Sequence, residues 1–160
     1  MNILLNLYNF DEDWAFPFLK KIILKSMTVT IVPFSFNEKE IGSEKEWEFA
    51  YGKDTGKYYN DIVSPFRTYG IDDENIQWIN YYADTHENAC KKISGSDVIF
   101  FTGGYPDRMM ARINEFGIAR AVKTNNDIVM GSSAGAMIQL SEYFVSPDAD
   151  YDRFLYYQAA

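Results

Sequence analysis

The chain has 160 residues and a formal net charge of −8, with 47% hydrophobic and 24% charged residues. This composition is typical of one folded domain with a substantial apolar core. The acidic charge argues against nucleic acids and anionic membranes as partners, because both attract basic proteins. A single cysteine, Cys90, excludes an intrachain disulfide, and a single histidine, His86, excludes a zinc cluster of cysteines and histidines. We therefore expect a single domain over residues 1–160 that uses no metal or other cofactor.

The first residues predict a strand and not a targeting segment. Met1 is followed by a short apolar run with no basic flank, and acids come soon after it at Asp11, Glu12 and Asp13. A secretory signal peptide has a basic start instead. No apolar run of the chain is long enough to span a membrane. We therefore expect a cytoplasmic protein with no membrane partner.

Short apolar runs alternate with segments of helical spacing along the chain. Strands are predicted at residues 3–7, 27–34, 76–82, 97–102 and 127–132, and helices at 11–26, 37–57, 85–93, 106–116 and 118–123. Several of these strands are apolar throughout, which predicts an α/β fold with three layers: a doubly wound, mostly parallel sheet with helices on both faces. Ligands of such sheets bind at the carboxyl ends of the strands, where Gly103-Gly104 and Ser133 both fall.

The last predicted strand leads into Gly131-Ser132-Ser133-Ala134-Gly135, a G-x-S-x-G motif that is followed by a helical pattern. In a strand–turn–helix context this motif holds its serine at the apex of a strained turn, with the hydroxyl exposed. Glycine on either side avoids side chains that would crowd the turn. The Ala134 amide opens the helix, whose positive end favours an oxyanion. We interpret Ser133 as a nucleophile, although a tight turn alone would also explain the two glycines.

Phe100-Phe101-Thr102-Gly103-Gly104, together with Gly131 to Ala136, resembles two blocks of the S51 serine peptidases. This group includes peptidase E (aspartyl dipeptidase) and cyanophycinase, and it has a flavodoxin-like, class I glutamine amidotransferase-like fold. The resemblance implies Ser133 as nucleophile and an oxyanion hole from the Gly103-Gly104 turn, chiefly Gly104, and from Ala134. It also implies an acid beyond the elbow helix. Asp148 fits that place, with Asp150 as the alternative, and Asp148 can equally be a solvated loop acid.

Two features depart from the family pattern. Tyr105-Pro106 follows the glycine pair, where peptidase E-like members commonly have Asn, and no histidine follows Ser133, where the family has its base. His86 is the one candidate base, although a histidine at a helix start is more often a surface or capping residue. Either the chain lacks the C-terminal elements of the family fold or its lineage has lost the base. In both cases we expect a poor hydrolase.

Other side chains have weaker functional interpretations. Tyr105 could contact a substrate, and Arg108 and Arg112 share a helix face that could bind a substrate carboxylate or simply be solvated. Cys90 is interpreted as a packed thiol. Six aromatic residues could line a pocket or a dimer contact, or could serve ordinary packing: Trp47, Tyr51, Tyr58, Tyr59, Phe66 and Tyr69.

The sequence thus leaves two hypotheses for function. The first is a serine peptidase of the S51 type that cleaves a small peptide, aspartyl peptides included. The second is a catalytically inactive protein on the same fold that binds a small molecule or a partner, and the missing downstream histidine favours it. Because a sheet without its last strand exposes an edge, a homo-oligomer is a further expectation.

Overall fold

The computed structural model describes residues 1–125 and 128–158, and within them five strands form one parallel sheet. The strands are β1 (Asn2–Leu5), β2 (Val29–Val32), β3 (Ile76–Trp78), β4 (Val98–Phe101) and β5 (Ile128–Ser132). Their order is β1-β5-β4-β2-β3, and every neighbouring pair is parallel. The predicted parallel α/β sheet is therefore confirmed. Asp127, the predicted first residue of the last strand, lies outside the described residues.

Helices cover both faces of this sheet. They are α1 (Phe16–Leu19), α2 (Glu44–Tyr51), α3 (Tyr59–Thr68), α4 (His86–Ser94), α5 (Pro106–Glu115), α6 (Ala119–Asn125) and α7 (Ala134–Met137). Successive side chains of a strand point to opposite faces, so Val98 and Phe100 of β4 pack with α1 to α3, while Ile99 and Phe101 pack with α4 to α6. The three predicted layers are confirmed. None of the helices in the described part of the chain has the length and apolar character needed to cross a bilayer.

The helix predicted over residues 11–26 is wrong, because only the four residues of α1 are helical there. Pro17 is tolerated near the helix start, where its missing amide costs nothing. Phe18 is exposed within α1, and after α1 the chain turns, so that Ile23 enters the core while Leu24 stays exposed. A continuous helix was suggested by the spacing of these apolar residues, but they do not share one buried face.

Two features of the fold were not predicted. Helix α3 contains Pro65, which in a sequence indicates a break, yet the helix continues through this buried residue. After α7, the strands β6 (Glu142–Val145) and β7 (Leu155–Gln158) form an antiparallel hairpin. In each of these strands half-buried and exposed residues alternate. The residue types do not alternate in the same way, because the exposed positions include Phe144 and Tyr156, so the aromatic residues of both segments, which are enriched in strands, are the signal that the sequence offers.

Candidate active site

Ser133 lies between β5 and α7, with φ of 50° and ψ of −110°, and its side chain is exposed. A positive φ is strained for a residue with a side chain, and such strain is held only where the surroundings enforce it. Here the Ser133 amide donates a hydrogen bond to the Leu5 carbonyl of β1 at 2.9 Å. The predicted positive φ and exposed side chain are confirmed, which gives Ser133 the geometry of a nucleophile elbow.

The two glycines of the motif allow α7 to pack directly on the sheet. A Cβ atom on Gly131 would overlap the Gly135 carbonyl, and a Cβ atom on Gly135 would overlap the Phe101 carbonyl of β4. Real Cβ atoms do not approach backbone so closely, so both positions require glycine. The close approach links the elbow to β4 as well as to its own strand.

The Gly103-Gly104 turn follows β4, the hydrogen-bonded neighbour of β5. A Cβ atom on Gly103 would lie 3.4 Å from the Ser133 Cβ atom, so the turn lies beside the elbow. Gly104 has φ of 138°, a conformation that L side chains rarely adopt. The predicted adjacency of the two strand ends is confirmed.

The amides of Gly103, Gly104 and Ala134 differ in their hydrogen bonding. Gly103 donates its amide to the Tyr8 hydroxyl at 2.8 Å. For the amides of Gly104 and Ala134, no acceptor is found among residues 1–125 and 128–158. Ala134 is the first residue of α7, and the first amides of a helix have no partner within the helix. Two unpaired amides therefore lie at the ends of adjacent strands, and their convergence on one oxyanion stays a prediction.

Ser35, which follows β2, holds the glycine turn in place, although the sequence analysis missed it. Its hydroxyl donates to the Gly103 carbonyl at 2.5 Å and accepts from the Thr102 hydroxyl at 2.9 Å. Its carbonyl accepts the Tyr105 amide at 2.8 Å. Ser35 is buried, so these bonds are shielded from water. A small polar residue just after an apolar strand is the signal that could have identified it.

Tyr8, which follows β1, was missed as well. Burial raises the pKa of Tyr8 to about 12, so its hydroxyl stays protonated at neutral pH. This hydroxyl accepts the Gly103 amide and keeps its own hydrogen to donate. A Cβ atom on Gly103 would lie 3.4 Å from the Tyr8 hydroxyl and 3.4 Å from the Ser133 Cβ atom, so both groups lie on the same side of Gly103. Tyr8 is therefore a neutral hydrogen-bond donor beside the elbow.

The two candidate acids lie in the exposed loop between β6 and β7. Asp148 Oδ1 accepts the amides of Asp150 and Tyr151 at 2.8 and 3.0 Å, so this carboxylate shapes its own turn. Asp150 Oδ1 accepts the Tyr105 hydroxyl at 2.9 Å. The structure thus shows Asp148 as an exposed loop acid and brings Asp150 to the hydroxyl of Tyr105, the residue after the glycine turn. A catalytic role for either acid stays a prediction.

His86 is not brought to the elbow by any contact of the described residues. It begins α4 after β3, which is separated from β5 by β4 and β2, a distance of about 14 Å at the usual strand spacing. Its Nδ1 atom lies 2.5 Å from the Phe116 carbonyl, and both ring nitrogens lie 3.8 Å from the Cys90 Sγ atom. Thr85 caps the helix through its hydroxyl, which accepts the Asn88 amide.

Among the residues described, no group of three or more His, Cys, Asp or Glu side chains could hold a metal ion.

The two arginines of α5 already have partners. Arg108, which is partly exposed, forms an ion pair with Glu38. Arg112 is buried, and its Nη1 atom donates to the carbonyls of Phe34 and Phe36 at 2.7 Å each. Its guanidinium also lies 3.7 Å from the Phe36 ring centroid. The expectation of a solvated face is therefore wrong for Arg112, whose guanidinium joins α5 to the segment after β2.

A cavity of about 250 Å³ opens beside the glycine turn. We call it the tyrosine cavity, since its walls include five aromatic side chains: Tyr8, Phe36, Tyr51, Tyr58 and Tyr105. Of the six aromatic residues singled out in the sequence, Tyr51 and Tyr58 line this cavity. The other four are buried in the core: Trp47, Tyr59, Phe66 and Tyr69.

Comparisons with known proteins identify the fold and no sequence relative. No protein-family model and no curated protein sequence matches the chain. One matching structure is that of a protein provisionally named peptidase E from Listeria monocytogenes EGD-e, with a TM-score of 0.61 and 15% identity over 86% of this chain and 60% of that one. Another is a peptidase from an acI-B1 Actinobacterium, with a TM-score of 0.60 and 14% identity over 90% of this chain and 58% of that one. The chain has a peptidase E-like α/β fold and spans less than two thirds of either structure.

Proposed function

We propose that this protein is a serine hydrolase of the S51 type that cleaves small peptides. The observation that carries the proposal is the strained, exposed Ser133 at the end of β5, beside the glycine turn at the end of β4. The names of the structural neighbours, both peptidases, support it. In the proposed reaction the Ser133 Oγ atom attacks the peptide carbonyl carbon, the C–N bond breaks, and the amine departs with the proton of the Ser133 hydroxyl. Water then hydrolyses the acyl-enzyme, which releases the acid and restores the hydroxyl.

The unpaired amides support one assignment of the oxyanion hole. Because the Gly103 amide already donates to Tyr8, we assign the hole to the amides of Gly104 and Ala134. Donors fixed before the reaction stabilise the developing negative charge without reorganising. The neutral Tyr8 hydroxyl is placed to donate to the substrate close to this hole.

One observation favours a second candidate function, a protein that binds a small molecule at this site without catalysis. Within the described residues, no imidazole, carboxylate or amine forms a hydrogen bond with the Ser133 hydroxyl. Tyr8 cannot serve as the base at neutral pH, because burial keeps its pKa near 12. A serine without a base is a weak nucleophile.

A fluorophosphonate probe tests the proposal, with mass spectrometry to locate the label. We expect Ser133 to be labelled, at a rate about 10⁴-fold below that of a hydrolase with a complete triad. Labelling should disappear in Ser133→Ala and persist in Ser141→Ala, which removes an exposed hydroxyl outside the site.

The opposite results are equally informative. A wild-type chain that stays unlabelled while circular dichroism shows it folded would contradict the hydrolase and favour the binding protein. Fast labelling would indicate that a base reaches Ser133, and histidine is the commonest base. His86 is the single histidine of the chain, so His86→Asn would then abolish the fast rate.

A further inference from the structure

The walls of the tyrosine cavity carry one kind of charge. Among the described residues that line it, Glu40 is charged, and none is a lysine, arginine or histidine. The Glu40 side chain is exposed and forms no ion pair with a described residue. Lys45 and Lys57 line a neighbouring cavity together with Glu40 but form no ion pair with it, so the Glu40 carboxylate still adds negative charge at the edge of the tyrosine cavity and favours a cationic occupant.

The aromatic walls favour the same kind of occupant. Tyr8, Tyr51 and Tyr58 contribute aromatic rings to these walls, and aromatic ring faces attract cations. Tyr58 already shows this behaviour, because the Nζ atom of Lys57 lies 4.8 Å from its ring centroid. Lys57 does not line the tyrosine cavity itself.

Among the described residues, no cationic side chain lines the cavity, and the cations near it lie outside its walls, with Lys57 over the Tyr58 ring and Arg112 over the Phe36 ring. Arg108 is paired with Glu38, and Arg112 is buried against backbone carbonyls. A carboxylate in the cavity would instead face the negative charge of Glu40. The preference for aspartyl peptides that the family resemblance implies is therefore not supported by the charges around this cavity.

We propose that the tyrosine cavity is the specificity pocket for a lysine or arginine side chain of the peptide substrate, with the Glu40 carboxylate as its counter-ion. This inference rests on the proposed hydrolase. The volume of about 250 Å³ lies below the roughly 300–1,000 Å³ of pockets for drug-sized ligands and suits one side chain. The cavity borders Gly103 and Gly104, so a side chain held there belongs to a peptide whose carbonyl lies beside Ser133.

Binding of amino-acid amides tests the pocket without requiring catalysis. Isothermal titration calorimetry would compare lysine amide with norleucine amide, which has a neutral side chain of similar length, and with aspartate amide. We expect lysine amide to bind at least about tenfold more tightly than norleucine amide, and aspartate amide more weakly than both. Glu40→Gln should weaken binding of lysine amide about tenfold. Glu87→Gln, which removes an exposed carboxylate of α4 outside the cavity, should leave it unchanged.

Equal affinities for lysine amide and norleucine amide would refute the proposed cation pocket. An unchanged affinity of Glu40→Gln for lysine amide would refute it as well. The result is separable from that of the hydrolase test. Selective binding of lysine amide by a chain that no fluorophosphonate labels would refute the hydrolase and retain the cation pocket. Labelling of Ser133 together with preferred binding of aspartate amide would refute the pocket and retain the hydrolase.

Discussion

Replacing Gly104 with alanine is expected to lower the rate of Ser133 labelling by about 10²–10³-fold, the effect of losing one oxyanion donor. Gly104 has φ of 138°, and an added Cβ atom would lie 2.5 Å from the Ser35 carbonyl oxygen. Ser35 is held by its own hydrogen bonds and cannot retreat freely. The turn must therefore move, and the Gly104 amide moves with it. The measurement is the second-order rate constant for reaction with a fluorophosphonate.

Gly103→Ala is the matched control for folding. The nearest atoms to its added Cβ atom would be the Ser133 Cβ atom and the Tyr8 hydroxyl, each at 3.4 Å, and Gly103 does not have the positive φ of Gly104. We expect Gly103→Ala to unfold at nearly the wild-type temperature, whereas Gly104→Ala loses some stability because of its strained backbone. If a folded Gly104→Ala variant were labelled at the wild-type rate, the assignment of the Gly104 amide to the oxyanion hole would be refuted.

Replacing Arg112 with methionine is expected to lower the free energy of unfolding by about 3 kcal/mol. The change removes the guanidinium that donates hydrogen bonds to the carbonyls of Phe34 and Phe36. Each buried acceptor left unpaired costs roughly 1–3 kcal/mol. Methionine retains much of the packing against the Phe36 ring. The change also removes the contact of Arg112 Nη2 with Glu38 Oε2 at 3.3 Å, but the exposed Glu38 keeps its ion pair with Arg108, so the loss reports mainly on the hydrogen bonds to the carbonyls. Urea denaturation monitored by tryptophan fluorescence measures it.

Arg108→Met provides the comparison, one turn earlier on the same helix. Its guanidinium is partly exposed and pairs with Glu38, and exposed ion pairs contribute about 0–1 kcal/mol. Similar losses in the two variants would show that the carbonyl contacts of Arg112 contribute little. Arg112→Met should also slow labelling of Ser133, because the segment that Arg112 holds contains Ser35.

The sequence by itself determined the features that depend on neighbouring residues. The apolar run of β4 predicted a buried parallel strand, since such strands are covered on both faces. The spacing of Gly131, Ser133 and Gly135 predicted the strained serine, because the motif describes one turn of the backbone. Local spacing was less informative where apolar residues did not share one face, as in the wrong helix over residues 11–26.

Only the tertiary structure decided which distant groups surround that serine. Tyr8 meets Gly103 across 95 positions of the chain, and Ser35 meets it across 68. These contacts exist because the strand order places β1 and β4 on either side of β5, with β2 next to β4. Strand order arises from the packing of the whole sheet and has no signature in any short stretch of sequence. For the same reason the sequence predicted Arg112 on a solvated helix face, whereas the fold buries its guanidinium against two backbone carbonyls.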